Sequence, residues 1–384
     1  MMKKLPLWKL KRELKRALRQ IVSLPELTWE YLVLRPLYDR KFARMKVVYD
    51  GLKPITGEIA IYLVYAPTGL LNSHRDFLSL LAVDGITPVV VSNLPLSTGD
   101  RDQLLAQSAM VIERPNIGYD FGGYRDAILQ LAPDLHKLER LYILNDSVWM
   151  VDAPQSWFEQ ARTAECDYVG ATSHYGLKRF NANECKELSW EYTPTDPNFH
   201  YASYALAIGP NILQDPEFIE YWRKLRLSND KKRTVRRGEV GLTRWVRDHG
   251  YSHCATCDVG GFDQEIAALD DMTLDLVARN LVILEDLQLI GFLDEVLQSD
   301  PKTSEGRRVR IQIILMAVVR QAMGYAMPYF TLHYRDFQFV KKSPLRLSRR
   351  GAETTLHILS QLEGQMAQHA HSEAQEIFAQ RSED

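Results

Sequence analysis

From Glu58 onward, short apolar runs alternate with amphipathic stretches, the pattern of strands separated by helices. Ile59-Ala60-Ile61-Tyr62-Leu63-Val64-Tyr65 is an unbroken apolar run of strand length. Pro88-Val89-Val90-Val91, Ala109-Met110-Val111-Ile112, Leu141 to Leu144 and Asp167-Tyr168-Val169-Gly170-Ala171 repeat it, and Tyr201 to Ile208 follows. Between them the spacing predicts helices at Phe77 to Val83, Tyr119 to Leu131 and Trp157 to Ala161. A further helix is predicted from Asp215 to Leu225, with Asp215 placed to cap it and Pro216 at its first position. Apolar runs without polar alternation are strands buried on both faces. The pattern therefore predicts an α/β fold with a mainly parallel, Rossmann-like sheet flanked by helices. In such sheets, ligands bind beyond the carboxyl ends of the strands.

The flanking regions read differently. Residues 1–50 begin with a basic amphipathic stretch, in which Lys3, Lys4, Lys9, Lys11, Arg12, Lys15, Arg16 and Arg19 surround Leu5, Trp8, Leu10, Leu14 and Leu18. This composition suits an anionic membrane surface. Residues 51–298 carry the strand–helix alternation. Within them, Ser173 to Phe199 is irregular and rich in Asn, Pro and aromatics, as expected of a loop that covers a substrate. Residues 299–384 turn helical and include basic clusters at Arg307 to Arg310 and Lys341 to Arg350.

The 384 residues are 46% hydrophobic and 25% charged, with a formal net charge of -2, which gives no electrostatic case for nucleic acid. Four cysteines are too few for a disulfide framework, so a reducing, cytoplasmic compartment is expected. Cys254 and Cys257 form a lone Cys-x-x-Cys, read as structural thiols in the absence of a second ligand pair. No signal peptide is recognisable, and no apolar stretch reaches membrane-spanning length.

Three segments carry candidate chemistry. In Glu113 to Arg125, Asn116, Gly118 and Asp120 lie between a strand and a helix. Gly118 permits a tight turn, Asn116 and Asp120 can bond ligand hydroxyls, and Arg114 can pair a phosphate. The dinucleotide fingerprint is absent. In Leu141 to Val148, Asn145 and Asp146 follow an apolar strand, so a carboxylate stands at the carboxyl edge of the sheet. Such an acid is a candidate ligand for Mg²⁺ or Mn²⁺, although no Asp-x-Asp is present. In Arg236 to Tyr251, Glu239 opens a helix and can act as a general base if it lies within reach of a hydroxyl.

In this order the segments resemble the rhamnan synthesis protein F family of bacterial glycosyltransferases. The resemblance is carried by Asn116-Ile117-Gly118-Tyr119-Asp120-Phe121, Leu144-Asn145-Asp146-Ser147-Val148, the His200 to Tyr204 strand entry, Asp215 to Trp222, Gly238-Glu239-Val240-Gly241-Leu242-Thr243 and Lys341-Lys342-Ser343-Pro344. The chain is more distantly similar to the inverting family 2 enzymes of the GT-A fold. The acid usually assigned as base in family 2 aligns with Val240, and the strand-end acids are reduced to Asp146. The resemblance implies a GT-A-like inverting transferase with Glu239 as base and Asp146 on the metal or diphosphate side. Tyr65, Asn93, Arg114, Asn116, Gly118, Asp120 and Asn145 are implied for the donor. Lys232 and Arg237 are implied for the leaving diphosphate, and His200, Tyr201, Trp190 and Tyr192 for the acceptor. It further implies a nucleotide-sugar donor, dTDP-L-rhamnose favoured, and a lipid-linked or oligosaccharide acceptor for a cell-surface polysaccharide of O-antigen or rhamnan type. Such synthesis places the protein at the inner face of the cytoplasmic membrane beside other polysaccharide-assembly enzymes. Two other readings stand beside this one: a catalytically silent sugar-binding or scaffold subunit, favoured by Val240, and a nucleotide-sugar modifying enzyme on a similar sheet.

Overall fold

The structure, a computed structural model, describes residues 25, 28, 29, 32, 33, 37–178, 180 and 188–381. The basic segment 1–21, with its expected membrane contact, and Cys185 lie outside them. Eleven strands are described. They are β1 (Val47–Asp50), β2 (Glu58–Val64), β3 (Thr87–Ser92), β4 (Met110–Glu113), β5 (Arg140–Asn145), β6 (Val148–Met150), β7 (Tyr168–His174), β8 (His200–Tyr201), β9 (Ala205–Ile208), β10 (His253–Cys257) and β11 (Phe339–Lys341).

The main sheet runs β1-β4-β3-β2-β5-β9-β7-β10, with β8 attached to β7. β4, β3, β2 and β5 are mutually parallel, and β10 is parallel to β7. β9 runs antiparallel between β5 and β7, and β1 is antiparallel at the edge. The fold is thus α/β with a mainly parallel sheet, as the apolar runs require. From β2 the chain steps outward through β3 and β4, then returns to β5 on the other side of β2. This reversal opens a crevice beyond the carboxyl ends of β2 and β5, the usual ligand position of such sheets.

The predicted strand from Tyr201 to Ile208 is broken in two. β8 pairs with β7, β9 enters the main sheet, and the step between them carries Ser203. Four strands gave no periodic signal because they are short or lie at edges: β1, β6, β10 and β11. Asp215 does cap the Pro216–Lys224 helix, its Oδ1 accepting from the Glu217 amide at 2.8 Å.

β2 is buried on both faces. Ile59, Ile61 and Leu63 pack with Phe121, Tyr124 and Ile128 of the Tyr119–Leu131 helix, and with Trp222 and Leu242. Ala60, Tyr62 and Val64 pack with Phe77, Leu81 and Phe158, and with Ile313, Ile314 and Met316 of the Ser304–Gln321 helix. The region after residue 299 is therefore part of the central core. Truncating any of these large side chains to Ala costs about 2–5 kcal/mol.

β11 pairs antiparallel with β6, setting Lys341 opposite Val148 and Phe339 opposite Met150. Glu373, on the Gln365–Arg381 helix, ties this ribbon to the sheet. Its carboxylate accepts from Trp149 Nε1 at 2.8 Å and Ser73 Oγ at 2.7 Å, and lies 3.8 Å from Lys342 Nζ. Two residues of the basic clusters after residue 299 are internal. Arg310 is fully buried, with Nε 2.7 Å from Asp275 Oδ1, and Lys341 is also buried. Arg307 pairs with Asp271 and Arg308 with Glu305.

Candidate functional site

A cavity of about 1200 Å³ opens at the carboxyl ends of β2 and β5. Of the residues singled out in the sequence, Tyr65, Asn93, Asn116, Asp120, Asn145, Asp146, His200 and Glu239 line it. Ser203, Tyr204, His174, Lys231, Tyr325 and Lys341 join them.

One wall is an acid cluster. Glu239 is the first residue of the Glu239–Asp248 helix, whose face of Leu242 and Val246 is buried in the core. Gly238 precedes it because nothing larger fits: a Cβ there would lie 2.5 Å from the Phe121 ring. Glu239 Oε1 accepts from Ser203 Oγ at 2.7 Å, and Oε2 lies 3.3 Å from His200 Nε2. His200 Nδ1 is 2.7 Å from the Asn198 carbonyl, which only accepts, so Nδ1 carries a hydrogen. The contact between Nε2 and Oε2 is attractive only with one further proton between them. Burial raises the Glu239 pKa, but the hydrogen bond and charge of His200, the Ser203 hydroxyl and the charge of His174 outweigh it and leave the group below its ordinary value. The His200 ring stacks on His174 with centroids 5.3 Å apart and planes 5° apart.

Asp120 Oδ2 stands 3.2 Å from the same Ser203 Oγ. Burial, with the charge of Glu239 next, pushes the Asp120 pKa up to about 6. A protonated Asp120 can donate to Ser203 Oγ, whose own hydrogen goes to Glu239. The three side chains thus form a short proton path between two acids whose affinities for a proton are driven apart.

Asp146 also lines the cavity. Its Oδ2 accepts from the Tyr65 amide at 2.7 Å and lies 3.4 Å from His74 Nε2. His74 Nδ1 accepts from the Leu71 amide at 3.2 Å, so the hydrogen of this buried ring is on Nε2, which is near Asp146 but makes no hydrogen bond among the described residues. Asp146 Oδ1 takes no hydrogen bond among the described residues. No group of three His, Cys, Asp or Glu side chains suited to a metal ion occurs among them either. A divalent cation held at Oδ1 would therefore take its other ligands from substrate and water, as Mg²⁺ commonly does.

Asn93 and Asn145 line the cavity, yet their polar atoms hold the protein together. Asn93 Oδ1 accepts from Arg114 Nη1 at 2.6 Å, and its Nδ2 donates to the Tyr119 carbonyl. Asn145 Nδ2 donates to Tyr124 Oη at 2.8 Å, and its Oδ1 accepts from the Ser147 amide and hydroxyl. Asn116 is exposed to the cavity, and its side chain makes no hydrogen bond among the described residues.

Other expected site residues lie elsewhere. Arg114 is buried, and its guanidinium donates to Asp126 (2.7 Å), Asn93, Tyr38 (2.8 Å) and the Ile117 carbonyl. It braces the Asn116 turn and is not part of the cavity lining. Gly118 shapes that turn with φ +82°, and its amide donates to Asn229 Oδ1. Tyr201 is buried with its hydroxyl on His253 Nδ1 at 2.7 Å. Lys232 is exposed off the cavity, and its neighbour Lys231 lines it instead. Arg237 borders a separate cleft with Trp245 and His249. Trp190 donates to the Val259 carbonyl, and Tyr192 packs on Phe199, both outside the cavity. Val240 is a buried hydrophobic residue. Cys257 is buried against Met323, and Cys254 is half-buried beside Cys166. Ser203 and Lys341 lie in segments that carry the family resemblance but were given no site role, and His74 was not singled out, because each acts only through partners distant along the chain.

Comparison with known proteins adds three findings. Residues 88–296 match the family described as rhamnan synthesis protein F. The uncharacterised protein y4gN of Sinorhizobium fredii is 35% identical over 237 residues, which cover 62% of this chain and 57% of that protein. The match to the mannosyltransferase Ktr4p of S. cerevisiae has 12% identity and a TM-score of 0.24, covering 47% of this chain and 63% of that one. The chain thus spans less than two thirds of either protein. With its family match covering more than half of its residues, the chain belongs to the rhamnan synthesis protein F family.

Proposed function

We propose that the protein is an inverting glycosyltransferase of GT-A type that uses a nucleotide-sugar donor. The observation that carries this reading is the shared cavity at the reversal of strand order. It brings the Glu239–His200–Ser203–Asp120 cluster together with a single strand-end carboxylate, Asp146. An acceptor hydroxyl attacks the anomeric carbon as Glu239 takes its proton. The bond from that carbon to the donor's diphosphate breaks, and its electron pair leaves with the nucleoside diphosphate. A carboxylate held as acidic as Glu239 takes the proton late, once the attacking oxygen has bonded to the sugar and its O–H has become strongly acidic. Asn116 and the Tyr65 ring face the donor. Asp146 Oδ1 is the atom suited to hold Mg²⁺ or Mn²⁺, which when bound neutralises charge on the diphosphate.

The family's description favours an L-rhamnosyl donor such as dTDP-L-rhamnose and an acceptor that is part of a cell-surface polysaccharide, lipid-linked or oligosaccharide. No helix among the described residues is long and apolar enough to cross a membrane. The basic segment 1–21 is the part of the chain suited to hold it against an anionic leaflet. Removing that segment is expected to release the protein from anionic vesicles, and unchanged co-sedimentation counts against the contact.

The deciding experiment is a donor panel on purified protein, with dTDP-L-rhamnose beside UDP- and GDP-sugars, read by calorimetry and by transfer to acceptor. Saturable binding and turnover of one donor is expected. Binding without turnover on any acceptor, together with normal function of Glu239→Gln in cells, would replace the transferase with a silent sugar-binding subunit.

A further inference from the structure

Lys341 is a charged side chain of the cavity that the reaction above leaves without a task. It is the last residue of β11, buried in a wall of the cavity. The register of the ribbon sets it opposite Val148, and the Lys342 amide donates to the Ser147 carbonyl at 3.1 Å. Two consecutive lysines therefore flank the turn that carries Asp146. Side chains alternate along a strand, so the two diverge. Lys342 points to Trp149 and Glu373, where its charge is matched. Lys341 points the other way, with Nζ 3.7 Å from the Tyr204 ring centroid and 5.2 Å from that of Tyr325.

Among the described residues, Lys341 has no carboxylate within ion-pairing distance and no hydrogen bond. The tyrosine faces attract a cation but supply no acceptor for its hydrogens. A buried ammonium of this kind favours an incoming anion, because the anion recovers the charge-assisted bonds that burial removed. Resting on the transferase reading, we propose that Lys341 binds the diphosphate of the nucleotide-sugar donor, seating it against the Asp146 turn.

The charges around Lys341 set how that binding responds to pH. Burial lowers its pKa to about 7, Glu239 and Asp120 raise it, and Lys231 lowers it further. The facing Tyr204 and Tyr325 have pKa values raised by burial and stay neutral. At pH 8 a share of the molecules therefore holds Lys341 as the amine. A diphosphate favours the ammonium, so binding draws a proton from solution. The diphosphate of a nucleotide-sugar is substituted at both ends and does not itself titrate near neutrality.

The test is calorimetry of the intact protein with each sugar nucleotide of the panel at pH 8, in two buffers of different ionisation enthalpy. Uptake of a fraction of a proton is expected for the donor that binds. Lys341→Met, of similar volume, should bind about 10–100-fold more weakly with that uptake gone, the loss typical of a charge-assisted bond. Lys341→Arg should recover most of the affinity without the uptake, because its charge is permanent. Donor binding by the native protein without proton uptake, or by Lys341→Met with unchanged affinity, overturns the assignment. Absence of binding by every sugar nucleotide overturns the transferase reading itself, a distinguishable result.

Discussion

His200 Nε2 lies 3.3 Å from Glu239 Oε2, and the other nitrogen of that ring is fixed as a donor by the Asn198 carbonyl. The contact between ring and carboxylate therefore depends on a proton between them. Replacing Glu239 by Gln keeps the shape and removes the base. Turnover is expected to fall by about 10²–10⁴-fold with donor affinity retained, read from kcat and calorimetry side by side. A near-normal kcat would move the base to another group.

His200 lowers the proton affinity of Glu239, so its removal acts in the opposite direction. His200→Gln should raise the Glu239 pKa and shift the acid limb of the pH–rate profile to higher pH. A profile that falls in height without moving would assign His200 to substrate contact alone.

Asp120 has the reverse character. Its pKa in the folded protein, about 6, lies above its unfolded value. The native state therefore binds the proton more tightly than the unfolded chain. The resulting stability is full below the unfolded value near 4 and is lost as pH rises through about 6. Asp120→Asn removes that loss. The variant should melt higher than the native protein at pH 7.5, and the difference should shrink as pH falls toward 4. A melting difference independent of pH would show that ionisation is not its source.

Asp146 offers a carboxylate oxygen that the described residues do not use. EDTA is expected to abolish turnover and Mn²⁺ or Mg²⁺ to restore it. Asp146→Asn should weaken donor binding more with metal present than without it. Full activity in EDTA would place the neutralisation of the diphosphate on side-chain cations.

Arg114 is expected to matter for stability. It is buried beside Asp126, and removing one partner of a buried ion pair typically costs about 3–5 kcal/mol. Arg114→Met should lower the urea midpoint by a corresponding amount. A variant with normal stability and weakened donor binding would return Arg114 to the substrate.

The central sheet was legible because its strands are buried on both faces, and burial on both faces writes an unbroken apolar run. Ile59 to Val64 and Leu141 to Leu144 are such runs. The carboxyl-end acid at Asp146 and the helix-opening Glu239 were legible for a related reason: each sits where a regular element ends, and ends are marked by local residues. Arg114 was misread because a cation before a glycine turn looks the same whether it faces a ligand or an acid such as Asp126, about two turns along the following helix. The roles of Ser203 and Lys341 were not legible, although both lie in segments that carry the family resemblance. The serine lies in what reads as one strand and is two, and the lysine reaches the site only through pairing with a strand distant along the chain. Trp190 and Tyr192 show the converse, aromatic residues in an irregular stretch that pack inward.

The ribbon of β6 and β11 bears on how the protein is made. The stretch matched to the family, residues 88–296, contains neither β2, the strand beside which the cavity opens, nor β11, which brings Lys341. A ribosome delivers the first long before the second. Until Lys341 and its neighbours emerge, the nascent sheet has Asp146 and Glu239 in hand but an unfinished cavity wall, with the face of Trp149 still waiting for the Gln365–Arg381 helix. Completion of the site is therefore a late event in the life of each molecule, and fragments cut to the matched stretch lack both the floor and the wall of the cavity.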